Sequence, residues 1–211
     1  TGVQTCALPI FDNIDIYKEH ILRFENKGDF FYCNILLRKK DMNTDKANHQ
    51  SVRVIKDYCF YSVEDLDRRY DEIKKLAEVF RARVYLGVNR LNDSQVTIRM
   101  IKSLAERIES GNNNCRSLWA STVGTLSAQG DKRWIVDIDV NELYLLDQVK
   151  EHIQYLEPDG DKIICEIPTK SGIHLITKPF RLDKFLYSMD VQKLNPSILY
   201  IPDSLLNQQP S

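Results

Sequence analysis

A short apolar segment, Trp134–Val140 (WIVDIDV), constrains the fold more than any other part of the chain, because two aspartates interrupt it. Side chains alternate across a β-strand, so Asp137 and Asp139 leave the same face. The residues that leave the opposite face are apolar and require a core to cover them: Trp134, Val136, Ile138 and Val140. The segment therefore predicts a strand with one buried face and a pair of carboxylates on the other.

This carboxylate pair favours a metal site. Two neighbouring carboxylates repel each other unless a cation, a proton or a basic group joins them. Oxygen ligands suit Mg²⁺ or Mn²⁺ better than Zn²⁺. Asp-X-Asp is a short motif, however, and the alternative is that Asp137 and Asp139 only close an edge strand. Residues further along the chain favour the metal site.

A predicted strand pair downstream carries basic and hydroxyl groups. The segments Lys162–Thr169 (KIICEIPT) and Ile173–Thr177 (IHLIT) are typical of strands. The turn between them contains Lys170, Ser171 and Gly172. His174 lies just inside the returning strand. An ammonium, a hydroxyl, an imidazole and the N–H groups that a glycine exposes together form a cradle suited to phosphate oxygens.

A third acid, Asp190, follows in a short extended segment, and Ile198–Pro202 (ILYIP) then predicts an apolar strand. The order Asp-X-Asp, Gly-X-His and a lone Asp resembles the three motifs of the archaeo-eukaryotic primase superfamily. The segments WIVDID, IPTKSGIHLITKPF and DVQKLNPSILYIP are similar to small primase-like proteins of bacteria and their phages. RARVYLGVNR upstream extends this resemblance over most of the chain.

The resemblance implies roles for individual residues. Asp137, Asp139 and Asp190 would hold Mg²⁺ or Mn²⁺ and be catalytic. His174 would be the catalytic contact to the phosphates of the incoming nucleotide, which Lys170, Ser171 and Gly172 would help to bind. Many members have serine two residues before the histidine, whereas that position here is Gly172 and the serine is Ser171.

The resemblance also implies an activity and a fold. The activity is template-directed nucleotidyl transfer from NTPs or dNTPs on single-stranded DNA, in DNA replication or repair. The fold is an N-terminal α/β unit packed on a C-terminal unit like an RNA-recognition-motif sheet, with the active cleft between them. The sequence contains no helicase motif and no zinc-binding module, so a separate helicase or polymerase is an expected partner.

Two arginines have two possible roles, and two other functions are compatible with the sequence. Arg83 and Arg90 flank a predicted strand and are candidates to contact template or nucleotide phosphates, or else ordinary surface residues. A metal-dependent nuclease would use Asp137 with Glu166 and Lys170, although the spacing is ExxxK rather than the ExK that places both residues on one strand face, and Pro168 intervenes. The other alternative is a catalytically inactive nucleic-acid-binding module on the same fold.

Composition and patterning predict an α/β or α+β protein in an N-terminal unit, residues 11–130, and a C-terminal unit, residues 131–211. Residues 1–10 (TGVQTCALPI) resemble a translated sequencing adapter and are expected to be an artefact outside the fold. The five cysteines form no C-x-x-C pair, which favours a reducing cytoplasm. No apolar run approaches the roughly 20 residues that span a bilayer, so no membrane partner is expected. The net charge is −1, so nucleic acid would need local basic clusters.

Periodicity predicts the elements before the acidic strand. The predicted helices are Phe11–Asn26, a capped helix from Ser62 to Phe80, and a helix whose apolar face is Ile98, Ile101, Leu104, Ala105 and Ile108. The predicted strands are Phe30–Arg38, Val52–Tyr61 and Arg83–Val88. Asp41–Gln50 is predicted to be a loop, and Asn112–Lys132 the least structured stretch.

Overall fold

The computed structural model describes residues 11–38, 41, 52–112, 115, 117–126 and 130–206. The predicted artefact at residues 1–10 and, Asp41 apart, the predicted loop up to Gln50 lie outside the described residues. Within the described ranges the protein is α+β with two antiparallel sheets, which confirms the predicted fold class.

The elements before residue 130 form the larger part of the first sheet and its helices. The first helix in the described residues is α1 (Ile14–Ile16), which continues as a π-helical turn, Tyr17–Ile21. The strands are β1 (Asp29–Arg38), β2 (Val52–Phe60), β3 (Arg83–Gly87) and β4 (Leu91–Asn92). The helices are α2 (Val63–Phe80), α3 (Asp93–Glu109) and α4 (Leu118–Thr125). Helix α4 lies within Asn112–Lys132, which was predicted to be the least structured stretch, so that prediction was wrong for Leu118–Thr125.

The remaining elements follow the acidic strand. They are β5 (Trp134–Asp139), α5 (Leu146–Tyr155), β6 (Ile163–Thr169), β7 (Gly172–Thr177), β8 (Asp190–Gln192), β9 (Pro196–Tyr200) and α6 (Asp203–Leu206). Two 3₁₀ turns, Val140–Leu145 and Leu182–Lys184, connect them. Val140 was predicted to face a core, but the strand ends at Asp139 and the Val140 side chain is exposed.

The first sheet has the strand order β2-β1-β3-β9, and β4 pairs with the start of β1. Helix α2 packs on this sheet because its buried residues recur at helical spacing. These are Leu66, Tyr70, Ile73 and Ala77, whereas Phe80 at the end of the helix is exposed. The helix begins at the predicted cap, where Ser62 Oγ accepts a hydrogen bond from the Asp65 N–H at 3.1 Å.

The second sheet has the order β6-β7-β5-β8 and is covered on both faces. On one face Val136 and Ile138 pack with α5, through Val149 and Ile153. On the other face Ile135, Ile167 and Ile176 join the core of the first sheet. Alternation along β5 thus separates two apolar layers, and the aspartates lie on the face that looks toward the first sheet.

Strand β9 and Asn13 link the two sheets. Although β9 falls within the predicted C-terminal unit, residues 131–211, it pairs with β3 and belongs to the first sheet. The buried amide of Asn13 donates to the carbonyls of Pro168 in β6 and Ile198 in β9, both at 3.1 Å. The sheets therefore do not divide at residue 130, because the chain returns to the first sheet at its end.

Helix α3 forms where it was predicted, but its predicted apolar face is not the face that the rest of the protein covers. Its predicted apolar face is mostly in solvent: Ile98, Ile101 and Ile108 are 51%, 63% and 59% exposed. Val96 is its only buried residue. Neither α3 nor any other helix in the described part of the chain is long and apolar enough to cross a membrane.

Candidate active site

Strand register brings the three predicted acids and the histidine onto one face of the second sheet. Asp137 in β5 lies opposite His174 in β7 and, on its other side, opposite Asp190 in β8. Asp139 lies opposite Gly172. Directly opposed residues of an antiparallel pair project from the same face. Asp137 is therefore the centre of a row that runs from the imidazole to the third carboxylate.

Asp137, Asp139 and His174 lie at the mouth of a cleft between the two sheets, whereas Asp190 lines neither of the pockets in this cleft. Ile135, two residues before Asp137 on the same face, is fully buried, whereas the Asp137 side chain is 38% exposed. A pocket of about 180 Å³ is lined by groups from both sheets, with Arg38 and Tyr85 facing Asp137 and His174. An adjoining pocket of about 460 Å³ shares these four residues and extends to Gln192.

His174 is held between the sheets by two contacts. Its Nδ1 atom lies 2.7 Å from the hydroxyl of Ser197 in β9, and its Nε2 atom lies 3.6 Å from Asp137 Oδ1. Burial lowers the pKa of His174, and the nearby Asp137 carboxylate opposes that shift only in part. The imidazole is therefore neutral at pH 7, and the nitrogen that is not at Ser197 faces the carboxylate.

Asp137 has a raised pKa, chiefly because it is partly buried. His174 lowers this pKa, whereas the negative charges of Asp139, Asp190 and Glu142 raise it. Because these acids repel one another, this end of the sheet is an anionic site in need of a positive partner.

The donor chemistry of this face fits a hard divalent cation, since it offers carboxylate oxygens and no sulfur. Asp139 and Asp190 are both exposed. Asp190 Oδ2 accepts a hydrogen bond from Gln192 Nε2 at 2.7 Å. Among the described residues, no three His, Cys, Asp or Glu side chains converge closely enough to hold an ion. The acids are thus neighbours on one surface rather than a closed coordination shell.

The turn between β6 and β7 is packed tightly against the acidic strand at Gly172. A Cβ atom at this position would lie 2.0 Å from the carbonyl oxygen of Ile138 and 2.9 Å from Asp139 Cα. The backbone carbonyl oxygen of Ser171 accepts a hydrogen bond from the Val140 N–H at 2.7 Å. Only glycine permits this approach, so the turn and the end of the acidic strand form one unit.

Lys170 lines the smaller pocket together with Ser171 and Thr169. Its Nζ atom donates to the carbonyl oxygen of Leu205 in α6 at 2.6 Å. Because a carbonyl does not neutralise an ammonium, Lys170 keeps its positive charge beside the acids. The structure therefore brings Lys170, Ser171 and Gly172 to the predicted site.

The two predicted arginines are both engaged in ion pairs. Arg83 is buried and donates from Nε and Nη2 to the two carboxylate oxygens of Asp41, at 2.9 and 2.7 Å. It still contributes to the lining of the smaller pocket. Arg90 pairs with Glu25 at 2.6 Å and with Asp29 at 3.3 Å, and it lines neither pocket of the cleft. The structure does not bring Arg90 to the acidic face.

Glu166, the second acid of the nuclease hypothesis, lies on the wrong face of the sheet. It is opposite Leu175, which packs on the α5 side, and its carboxylate pairs with Lys150 of α5. Asp137 lies on the opposite face. Asp137, Glu166 and Lys170 therefore do not form one cluster.

Three candidate site residues were not predicted as such from the sequence: Arg38, Tyr85 and Ser197. Ser197 contacts His174 from another sheet, and Tyr85 accepts a hydrogen bond from Arg38 at 3.2 Å in the cleft wall. The only sequence signal was that Arg38 begins a basic cluster, Arg38-Lys39-Lys40, whose two lysines lie outside the described residues. The positions of Ser197 and Tyr85 depend on strand pairing between distant segments, which periodicity does not reveal.

Comparison with protein-family models, with curated proteins and with solved structures finds no match to this chain. The function is therefore inferred from the site itself and from the motif resemblance.

Proposed function

We propose that this protein is a nucleotidyltransferase of the primase-polymerase type, which adds NTPs or dNTPs to a strand on a single-stranded DNA template. The observation that carries this proposal is the position of Asp137 between His174 and Asp190 at the mouth of a cleft. The strand order of the second sheet, with one helix between β5 and β6, supports the expected likeness to an RNA-recognition-motif sheet.

The carboxylates of Asp137, Asp139 and Asp190 are proposed to hold Mg²⁺ or Mn²⁺. Such an ion, when bound, stabilises the negative charge that develops on the attacking and leaving oxygens in phosphoryl transfer. The chain's contribution is to keep the three carboxylates on one rigid strand pair, so that little reorganisation accompanies binding.

His174 is proposed to contact the phosphates of the incoming nucleotide. A neutral imidazole adds no charge but retains one N–H donor, and Ser197 occupies Nδ1. Nε2 faces the carboxylate row and can donate to a phosphate oxygen there. The Ser197 contact fixes the ring, because it acts on the nitrogen remote from the acids.

The positive charge for a triphosphate is proposed to come from Lys170 and Arg38. Both line the smaller pocket, Lys170 from the turn after β6 and Arg38 from the end of β1. An ammonium and a guanidinium both form charge-assisted hydrogen bonds with phosphate oxygens. Arg83 is not used in this way, because Asp41 already occupies its guanidinium.

Primer synthesis and extension on single-stranded DNA, with labelled NTPs or dNTPs and Mn²⁺ or Mg²⁺, test the proposal. Wild-type protein should incorporate label, and Asp139→Asn should lower incorporation at least about a thousandfold while leaving the fold intact. Asp147→Asn is a matched control, because the side chain of Asp147 on α5 is fully exposed at 100%. Equal incorporation by Asp139→Asn and wild type would remove this residue from the reaction.

The same assay separates the alternatives. Shortening of the DNA on addition of metal, without extension, would identify a nuclease. Binding of DNA without incorporation, unchanged in Asp137→Ala, would identify an inactive binding module on this fold. Either outcome would contradict the proposed nucleotidyl transfer.

A further inference from the structure

Gln192 lies two residues after Asp190 in β8, and its carboxamide donates a hydrogen bond to the Asp190 carboxylate. Gln192 Nε2 lies 2.7 Å from Asp190 Oδ2. The two side chains leave the same face of the strand, because side chains alternate along it. Gln192 also lines the larger pocket of the cleft, about 460 Å³, whereas Asp190 lines neither pocket. Gln192 therefore links the third acid to the cleft.

The Gln192 carboxamide is itself oriented by Asn195. Asn195 Nδ2 donates a hydrogen bond to Gln192 Oε1 at 3.0 Å. Because its oxygen accepts from this donor, the carboxamide presents its nitrogen to Asp190. Asn195 is exposed and lines the larger pocket as well. The three side chains thus form a directed chain of hydrogen bonds that ends at the carboxylate.

Strand register shows from which side Gln192 engages the carboxylate. Asp190 lies opposite Asp137 in β5, and Gln192 lies opposite Ile135, on one side of that pair. Asp139 lies on the other side of the pair, since it follows Asp137 along β5. The hydrogen bond therefore engages Asp190 from the side away from Asp139. This direction agrees with the absence, among the described residues, of three acidic or histidine side chains that converge on one point.

We propose that Gln192 is a positioning residue that holds Asp190 away from the other two acids until a divalent cation binds. The cation is that of the proposed function, on which this inference rests. A cation shared by all three carboxylates requires the Asp190 carboxylate to turn toward Asp139, and this turn breaks the hydrogen bond to Gln192. Since only the released carboxylate completes the site, the hydrogen bond lowers the apparent affinity for the cation.

A glutamine at this position has an alternative role with the opposite effect. A carboxamide oxygen is itself a ligand for hard cations. Gln192 Oε1, however, already accepts a hydrogen bond from Asn195. Removal of a ligand weakens cation binding, whereas removal of a restraint strengthens it. The sign of the change in affinity therefore distinguishes the two roles.

The test measures Mn²⁺ binding to the full chain from the relaxation of water protons. Gln192→Leu removes the carboxamide and should bind Mn²⁺ about fivefold more tightly than wild type, the gain expected when one competing hydrogen bond is lost. Asn195→Ala keeps Gln192 but no longer orients it, and should tighten binding by about twofold. Gln148→Leu is the matched control, because Gln148 is exposed on α5, the helix that covers the other face of the sheet. Thermal unfolding establishes that each variant is folded.

A double-mutant cycle shows whether the effect acts through Asp190. In an Asp190→Asn background, Gln192→Leu should change the affinity for Mn²⁺ by less than about twofold, because the restrained carboxylate is no longer present. A general change in local structure or charge would instead tighten binding equally in both backgrounds.

The proposal is overturned if Gln192→Leu binds Mn²⁺ with wild-type or lower affinity, if it gains as much in the Asp190→Asn background, or if neither wild type nor Gln192→Leu binds Mn²⁺ saturably. Binding is measured without nucleotide, so this outcome is separate from that of the incorporation assay. Tighter binding by Gln192→Leu in a protein that incorporates no nucleotide would support the positioning role and contradict the transferase activity. Incorporation by wild type with no gain in Gln192→Leu would contradict the positioning role alone.

Discussion

The Ser197 hydroxyl lies 2.7 Å from Nδ1 of His174, and this contact joins β9 of the first sheet to β7 of the second. Ser197 is fully buried, and the histidine side chain is 13% exposed. The hydrogen bond therefore orients the imidazole from the side that a ligand does not reach.

Ser197→Ala should destabilise the protein by about 1–2 kcal/mol, because it leaves a buried ring nitrogen without a partner. Urea unfolding measures this loss, and ring ¹⁵N chemical shifts report the tautomer of His174, which should become mixed. Ser171→Ala is the control, since Ser171 is exposed and should cost less than about 0.5 kcal/mol. A single unchanged tautomer in Ser197→Ala would contradict the orienting role.

Gly172→Ala should be strongly destabilising, by about 3 kcal/mol or more, because its Cβ would overlap the backbone of the acidic strand. Gly124→Ala provides a matched control within α4. A Cβ at Gly124 meets no atom within 4 Å, so this variant should gain about 0.5–1 kcal/mol from helix propensity. Chemical unfolding of the two variants compares them directly, and a similar small effect at both positions would contradict the close approach at Gly172.

The free energy of unfolding should decrease as the pH is lowered below about 6.5, the ordinary pKa of histidine. Burial lowers the pKa of His174, so below that pH the unfolded chain binds a proton that the folded chain does not. The contribution of His174 is fully present above the unfolded pKa and is lost as the pH falls toward the lowered folded value. His174→Gln should flatten this part of the curve of unfolding free energy between pH 7.5 and about 5.5. His20→Gln is the control, because the His20 side chain is 39% exposed, and an unflattened curve in His174→Gln would contradict the assignment.

Helix α3 offers a test of which helix face is covered in solution. Ile101→Ser should change the unfolding free energy by less than about 0.5 kcal/mol, because Ile101 is exposed. Val96→Ala on the same helix should cost about 2 kcal/mol, because Val96 is fully buried. Urea unfolding of both variants at two protein concentrations is the measurement. A large cost for Ile101→Ser would show that this face is covered.

The local parts of the structure could be predicted from sequence, and the long-range parts could not. Alternation within WIVDID predicted that Asp137 and Asp139 share a face, and helical spacing located α2 and α3. Spacing alone did not reveal that α3 turns its isoleucines to solvent, because periodicity identifies an apolar face but not what covers it. The small and polar residues around α4 gave no apolar stripe, so that helix was missed.

The candidate site shows the same limit. That Asp137 lies opposite His174 and Asp190 depends on register between strands far apart in sequence. Arg83 was predicted as a phosphate contact because nothing in the sequence identified Asp41, at the start of a polar segment, as its partner. The family resemblance predicted which acids belong to one site, whereas the pairing of the strands determines which side chains are neighbours.

The proposed function requires that Asp137, Asp139 and Asp190 act together as one cation-binding surface. The binding of Mn²⁺ to the full chain, measured from the paramagnetic enhancement of water proton relaxation, tests this requirement. Wild-type protein should bind Mn²⁺ saturably, and Asp137→Asn, Asp139→Asn and Asp190→Asn should each weaken binding about tenfold or more, while Asp147→Asn does not. Absence of saturable binding in the wild type, or wild-type affinity in Asp190→Asn, would contradict the claim that the three acids form one site.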